Sequence, residues 1–109
     1  MNYQVFVTSR AKQQLAESAK WWAENRCAEQ AARWLDGFEK AIAELSIDPQ
    51  EYPLARESLL YELPHPVRQL HYGSGKRATH RAVFEIRDES VFVVAIRHLA
   101  QDDLSPDEI

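Results

Sequence analysis

Residues 67–98 read VRQLHYGSGKRATHRAVFEIRDESVFVVAIRH, and this stretch decides the fold. Val67 to Tyr72 alternates apolar and polar residues at the period of two that marks a half-buried strand. Gly73-Ser74-Gly75-Lys76 interrupts it as a turn, since glycine accepts backbone conformations closed to other residues. His80 to Arg87 resumes the alternation, with Ala82, Phe84 and Ile86 on one face. Asp88-Glu89 marks a tight turn, and Ser90 to Arg97 forms the third strand of the group. Its unbroken VFVVAI run predicts a central strand buried on both faces. So short a turn makes the last two strands an antiparallel hairpin.

Upstream, the periodicity changes. Tyr3 to Thr8 is a short strand, with Tyr3, Val5 and Val7 on one face and Phe6 on the other. Thr8 and Ser9 offer side-chain oxygens to cap a helix. Ala11, Leu15, Ala19 and Trp22 then recur at helical spacing, and Glu24-Asn25-Arg26 breaks the stripe. A second stripe, Ala31, Leu35, Phe38, Ile42 and Leu45, runs to Asp48-Pro49, where proline disfavours helical geometry in the residue before it. Two helices so closely joined predict an antiparallel hairpin. Gln50 to Pro66 is rich in proline and reads as an irregular loop. The LAQDDLSPDEI end reads as a short helical turn or a frayed tail.

The order is therefore β-α-α-β-β-β in a single domain spanning 1–109. Its apolar faces are buried most simply when the helical hairpin covers one face of a four-stranded, mostly antiparallel sheet, a two-layer α+β fold. The helices supply the long crossover that lets the first strand pair in parallel with the last. Gly37, within the second helix, predicts a close approach of another element.

Composition bounds the function. Apolar residues make up 45% and charged residues 28%, the ordinary balance of a globular domain. No apolar run approaches the roughly 20 residues that span a membrane. A lone cysteine, Cys27, at the start of the second helix, fits a reducing cytoplasm. The net charge of −4 is unevenly spread. Residues 63–84 carry Arg68, Lys76, Arg77 and Arg81 with no acid, between flanks that are acidic on balance. Such an island suits an anionic partner, while the overall acidity argues against sequence-independent coating of nucleic acid.

The histidines at 65, 71, 80 and 98 show none of the close ligand pairing of a metal site, so neither metal nor other cofactor is expected. Ser74 lacks the strand-turn-helix setting of a hydrolase nucleophile, and Gly73-x-Gly75 is too short for a phosphate loop. What remains is Arg68, His80, Arg81, Arg97 and His98, on three consecutive strands. The turn at Asp88-Glu89 sets His80 and Arg81 across from the Ile96–His98 end, in a register that a one-residue slip would invert. Adjacent arginines need neutralising. A phosphate would do so, and so would local carboxylates such as Glu85, Glu62 or Asp102.

In the order and spacing of VRQLHYG, HRAVFEI and VFVVAIRH, behind a helical hairpin and a YPL segment, the whole chain resembles the RelE/ParE toxins of type II toxin–antitoxin, or plasmid-stabilisation, modules. The resemblance implies the same β-α-α-β-β-β fold and a bacterial growth inhibitor neutralised in a hetero-oligomer by a cognate antitoxin. RelE-like members cleave messenger RNA on the ribosome without a metal; ParE-like members inhibit DNA gyrase. By resemblance Arg68, Arg81 and Arg97 match the family's strand arginines, and His98 approximates the terminal acid–base position of the ribonucleases. In a ParE-like chain the same groups would bind the target instead. Trp21, off the first apolar stripe, together with Arg81 and Arg97, is where an antitoxin would bind. Trp22 and Trp34, on or beside the stripes, read as packing. The chain has no lysine pair before the second strand and no C-terminal tyrosine, and it continues past His98 in an acidic tail. These features favour the ParE-like reading over the ribonuclease; an interaction domain that keeps the fold without toxicity is the alternative of a different class.

Overall fold

The computed structural model describes residues 2–73 and 75–109; Ser74 of the predicted Gly73–Lys76 turn lies outside the described residues, as does Met1. The elements are β1 (Gln4–Val7), α1 (Ser9–Asn25), α2 (Ala28–Ala43), α3 (Arg56–Leu60), β2 (Val67–Tyr72), β3 (His80–Arg87) and β4 (Ser90–His98). Strand order is β1-β4-β3-β2. β1 runs parallel to β4, Gln4 opposite Ser90, and the other pairs are antiparallel. This is the predicted fold, with the VFVVAI strand at its centre.

Local chemistry sets the helix boundaries. Thr8 Oγ1 accepts the Ala11 N–H at 3.2 Å and starts α1. Asn25 donates its side-chain amide to the Trp21 carbonyl at the other end. Cys27 caps α2, its Sγ accepting the Gln30 N–H at 3.4 Å. The hairpin and the inner face of the sheet bury Ala11, Leu15, Trp34, Phe38, Ile42, Phe84, Val91 and Val93 between them.

Gly37 marks the closest approach between the layers. Tyr72 stacks on Phe38 with ring centroids 4.4 Å apart and donates its hydroxyl to the Trp34 carbonyl at 2.9 Å. A Cβ on residue 37 would lie 2.2 Å from that hydroxyl oxygen. Alanine is worth roughly 1 kcal/mol more than glycine in a helix, yet overpacking costs about 1–3 kcal/mol. Gly37→Ala is therefore expected to lower the melting temperature, and adding Tyr72→Phe to recover most of the loss. A melt of Gly37→Ala matching the unaltered protein would contradict this packing.

The irregular loop expected over Gln50–Pro66 holds more structure than its prolines suggested. Pro53 and Ala55 bond to the outer edge of β2, through Gln69 N–H to the Pro53 carbonyl and Ala55 N–H to the Val67 carbonyl. α3 follows, and Ser58 both accepts from and donates to the Val67 backbone. The C-terminal segment docks rather than frays. Leu104 is fully buried with Ala55, Val67, Val83 and Ala95 on the outer face of the sheet, and Pro106–Glu108 closes in a 3-10 turn.

Candidate functional site

The five basic residues singled out by sequence do not converge. Val83 pairs with Ala95 and Phe84 with Val93, so Val94 is an extra residue in β4, a β-bulge. A bulge shifts the alternation of every side chain beyond it. Val91 and Val93 face the helices ahead of it, and Ile96 does so after it. His98 follows Ile96 onto the helix side, while Arg97 takes the outer face with Ala95. In β3 the same alternation sends His80 inward and Arg81 outward. The cluster thus divides, with His80, His98 and Arg68 on the inner face and Arg81 and Arg97 on the outer.

On the outer face Arg81 and Arg97 are register partners, and each is neutralised from within the chain. Arg81 is buried and forks onto Glu57 of α3, at 2.9 Å to Oε1 and 2.5 Å to Oε2, with a further bond to Gln69 at 3.2 Å. Glu57 is wholly buried and also accepts the Leu104 N–H at 2.9 Å. Burial raises the pKa of this carboxyl, but the Arg81 fork and the Leu104 N–H outweigh it and hold the group down at about 2. Arg97 donates to the Asp102 carbonyl at 2.5 Å and lies 3.8 Å from Glu108. Arg68, on the inner face beside Phe84, donates to the Tyr52 carbonyl at 2.7 Å. Glu85, considered from sequence as a partner for the arginines, is taken by Arg87 instead. The true partner of Arg81 lay in the segment read as irregular loop. A lone acid between the apolar Ala55 and Leu59 in a proline-rich stretch was the available signal for it.

The inner face has a different character. His80 is packed against Trp34, at 4.9 Å between ring centroids, and against His98 at 5.0 Å. Burial, with the neighbouring His98 ring, lowers the His80 pKa to about 4, so the ring is neutral at pH 7. His98 is exposed at the strand end. Its Nδ1 accepts the Ala100 N–H at 3.0 Å, and its own N–H donates to Gln101 Oε1 at 2.7 Å. With Nδ1 accepting, Nε2 is the ring nitrogen left to face the groove.

A groove of about 510 Å³ opens over this pair, lined by Gln14, Trp21, Trp22, His80, His98 and Gln101 among others. α1 forms one wall and the end of β4 the other. Gln14 Oε1 joins the two by accepting the Ile96 N–H at 2.8 Å, where β4 has run past the end of β1. Trp22 is half-buried and meets Trp34 on the core side. Trp21 is 52% exposed and packs edge-on against Trp22, with centroids 5.5 Å apart. The groove therefore joins an exposed indole to hydrogen-bonding side chains at its rim. Among the described residues, no group of three or more His, Cys, Asp or Glu is placed to hold a metal ion, and no helix is long and apolar enough to cross a membrane.

Comparison with known proteins bears on this architecture. The chromosomal ParDE toxin–antitoxin system of P. aeruginosa contains a chain that superposes with a TM-score of 0.68 at 16% sequence identity. The match covers 88% of this chain and 95% of that one, so the fold is shared. Curated proteins yield no match. The family described as the ParE toxin of the type II toxin–antitoxin system parDE matches residues 5–103, from β1 to the start of the docked C-terminal segment. This chain thus belongs to the ParE toxin family of type II toxin–antitoxin systems.

Proposed function

We propose that this protein inhibits bacterial growth through DNA gyrase and is held silent by a cognate antitoxin, one segment of which lies in the groove between α1 and the end of β4. The observation that carries the gyrase reading is the internal engagement of every arginine that a ribonuclease would use. Arg81 is forked onto Glu57, Arg97 donates to the Asp102 carbonyl of the C-terminal segment and Arg68 donates to the Tyr52 carbonyl. Cleavage of a phosphodiester needs cations aimed at the phosphate and a group free to take a proton. His98 can take a proton at Nδ1 only by giving up the Ala100 N–H. A toxin that acts by binding needs neither feature.

Inducing the protein alone should arrest growth with DNA-damage signalling and leave messenger RNA intact, and His98→Ala should stay toxic. Ribosome-dependent breaks in primer extension that vanish in His98→Ala would replace gyrase with messenger RNA as the target, since acid–base groups contribute about 10²–10⁴-fold.

Trp21 is the proposed anchor for the antitoxin, because an exposed indole backed by a second one is the side chain most often found at the energetic centre of an interface. Arg97, on the outer face, still reaches the rim of the groove at the end of β4, whereas Arg81 is buried under Glu57 and offers the antitoxin no surface. Trp21→Ala should weaken binding of the polypeptide encoded beside this gene by about 30-fold, the ~2 kcal/mol of a typical anchor. Titration calorimetry reads the change directly, and unaltered affinity would remove Trp21 from the contact.

A further inference from the structure

We infer that β1 is a self-association edge, at which two copies of this chain join their four-stranded sheets into one continuous sheet about a two-fold axis at Phe6. β1 is the outermost strand. Gln4 N–H bonds to the Glu89 carbonyl and Thr8 N–H to the Val93 carbonyl, so the even residues of β1 address β4. The odd residues address the other side. Tyr3 N–H there finds the Ser46 carbonyl, and Asn2 bridges Ile47, but no described backbone group pairs with Val5 or Val7 on that edge. Edge strands are ordinarily protected by lysine, proline, a bulge or a covering element. QVFV carries none of these.

The exposed edge is complementary to itself. In an antiparallel pair centred on Phe6, Val5 of each chain faces Val7 of the other and the two exchange both backbone bonds. Every outward group of Val5 and Val7 is then satisfied in both copies. Phe6 meets its own counterpart on the outer face. It is 45% exposed there and already stacks on Phe92 at 5.3 Å, so the axis extends an aromatic row from one sheet into the next.

On the helix side the edge borders an apolar groove of about 450 Å³, lined by Val5, Val7, Leu15, Leu35 and Ile42 with Lys12 and Glu39 among its polar members. Lys12 sits in the first turn of α1, just after Val7. Ala43 leads into the Ser46 that binds Tyr3 at the opposite end of β1. The groove lining carries one charge of each sign, so a two-fold partner can set Lys12 of one copy against Glu39 of the other. A second copy thus pairs the free backbone groups and extends the aromatic row, and its groove offers a charge of each sign to the other copy.

Sedimentation and light scattering on the purified full chain at micromolar concentrations should give a species of twice the 12.6 kDa of one chain, dissociating on dilution. Val5→Pro removes an N–H that no bond within the chain uses, a change that edge strands tolerate. It should yield a monomer with unaltered circular dichroism. Should that variant fail to fold, Phe6→Lys, on the outer face, must give the same monomer. Register is read separately with Phe6→Cys in a Cys27→Ser background, because Cys27 is free and exposed. Opposed residues at such a position have Cβ atoms about 4.5–5.5 Å apart, near enough to form a disulfide across the axis on mild oxidation. A monomeric unaltered protein, a dimer that survives both edge variants, or a Phe6→Cys chain that does not cross-link would overturn the proposal.

Discussion

Glu57→Ala is expected to lower stability by about 3–5 kcal/mol, the cost of stranding one member of a buried ion pair. Arg81 would keep its charge in a site from which solvent is excluded, with only the Gln69 amide left as acceptor. Leu104 would lose the acceptor for its N–H, so the C-terminal segment should loosen together with β3. For a domain of this size such a loss lowers the melting temperature by more than ~10 °C. Glu57→Gln with Arg81→Met removes both charges while retaining an acceptor for Leu104, and should recover most of the loss. Denaturant unfolding of the single and double variants checks both statements. A Glu57→Ala protein as stable as the parent would show that the pair carries no net energy.

Acidification should destabilise the protein in two stages. His80 and Glu57 both have folded-state pKa values below their ordinary ones, so each contributes stability that is complete above its unfolded value and is lost as pH falls. For His80 the window runs from 6.5 to about 4, because charging the ring means charging it against Trp34 and beside His98. For Glu57 it runs from 4.5 to about 2, where protonation breaks the fork to Arg81. The first stage should cost on the order of 3 kcal/mol when complete, since one pKa unit corresponds to ~1.4 kcal/mol. Urea midpoints followed from pH 7 to pH 4.5 should therefore fall in the parent and stay nearly level in His80→Gln. Equal slopes in the two proteins would assign the acid response to other groups.

The sequence made the fold legible because its signals were periodic. The stripe from Ala31 to Leu45 is helical and the VFVVAI run is a buried strand, and the topology follows from their order. The helical crossover fixed the parallel pairing of β1 and β4, and Gly37 announced the approach of Tyr72. The site was less legible for two physical reasons. The bulge at Val94 has no residue signature, and it decides which of Arg97 and His98 faces the helices. The Glu57–Arg81 pair joins residues 24 apart through a helix of five residues, too short to show any periodicity. Trp21 could be singled out because it falls off an otherwise regular stripe. What lies across the groove from it, the end of β4, depends on tertiary placement.

The parallel pairing of β1 with β4 has a consequence for synthesis. The chain is made from its N-terminus, so the first strand emerges long before the strand it pairs with. Gln4 is translated 86 residues ahead of Ser90, its partner in the ladder. At roughly 5–20 residues per second, that interval is on the order of ten seconds. During it the helical hairpin can form from local contacts, but the sheet against which it packs does not yet exist. Glu57 likewise waits for Arg81, and then for Leu104 near the end of the chain. The sheet closes only once β4 has been read. A nascent fragment released before that point therefore lacks a central strand of its sheet, and with it the partner of β1.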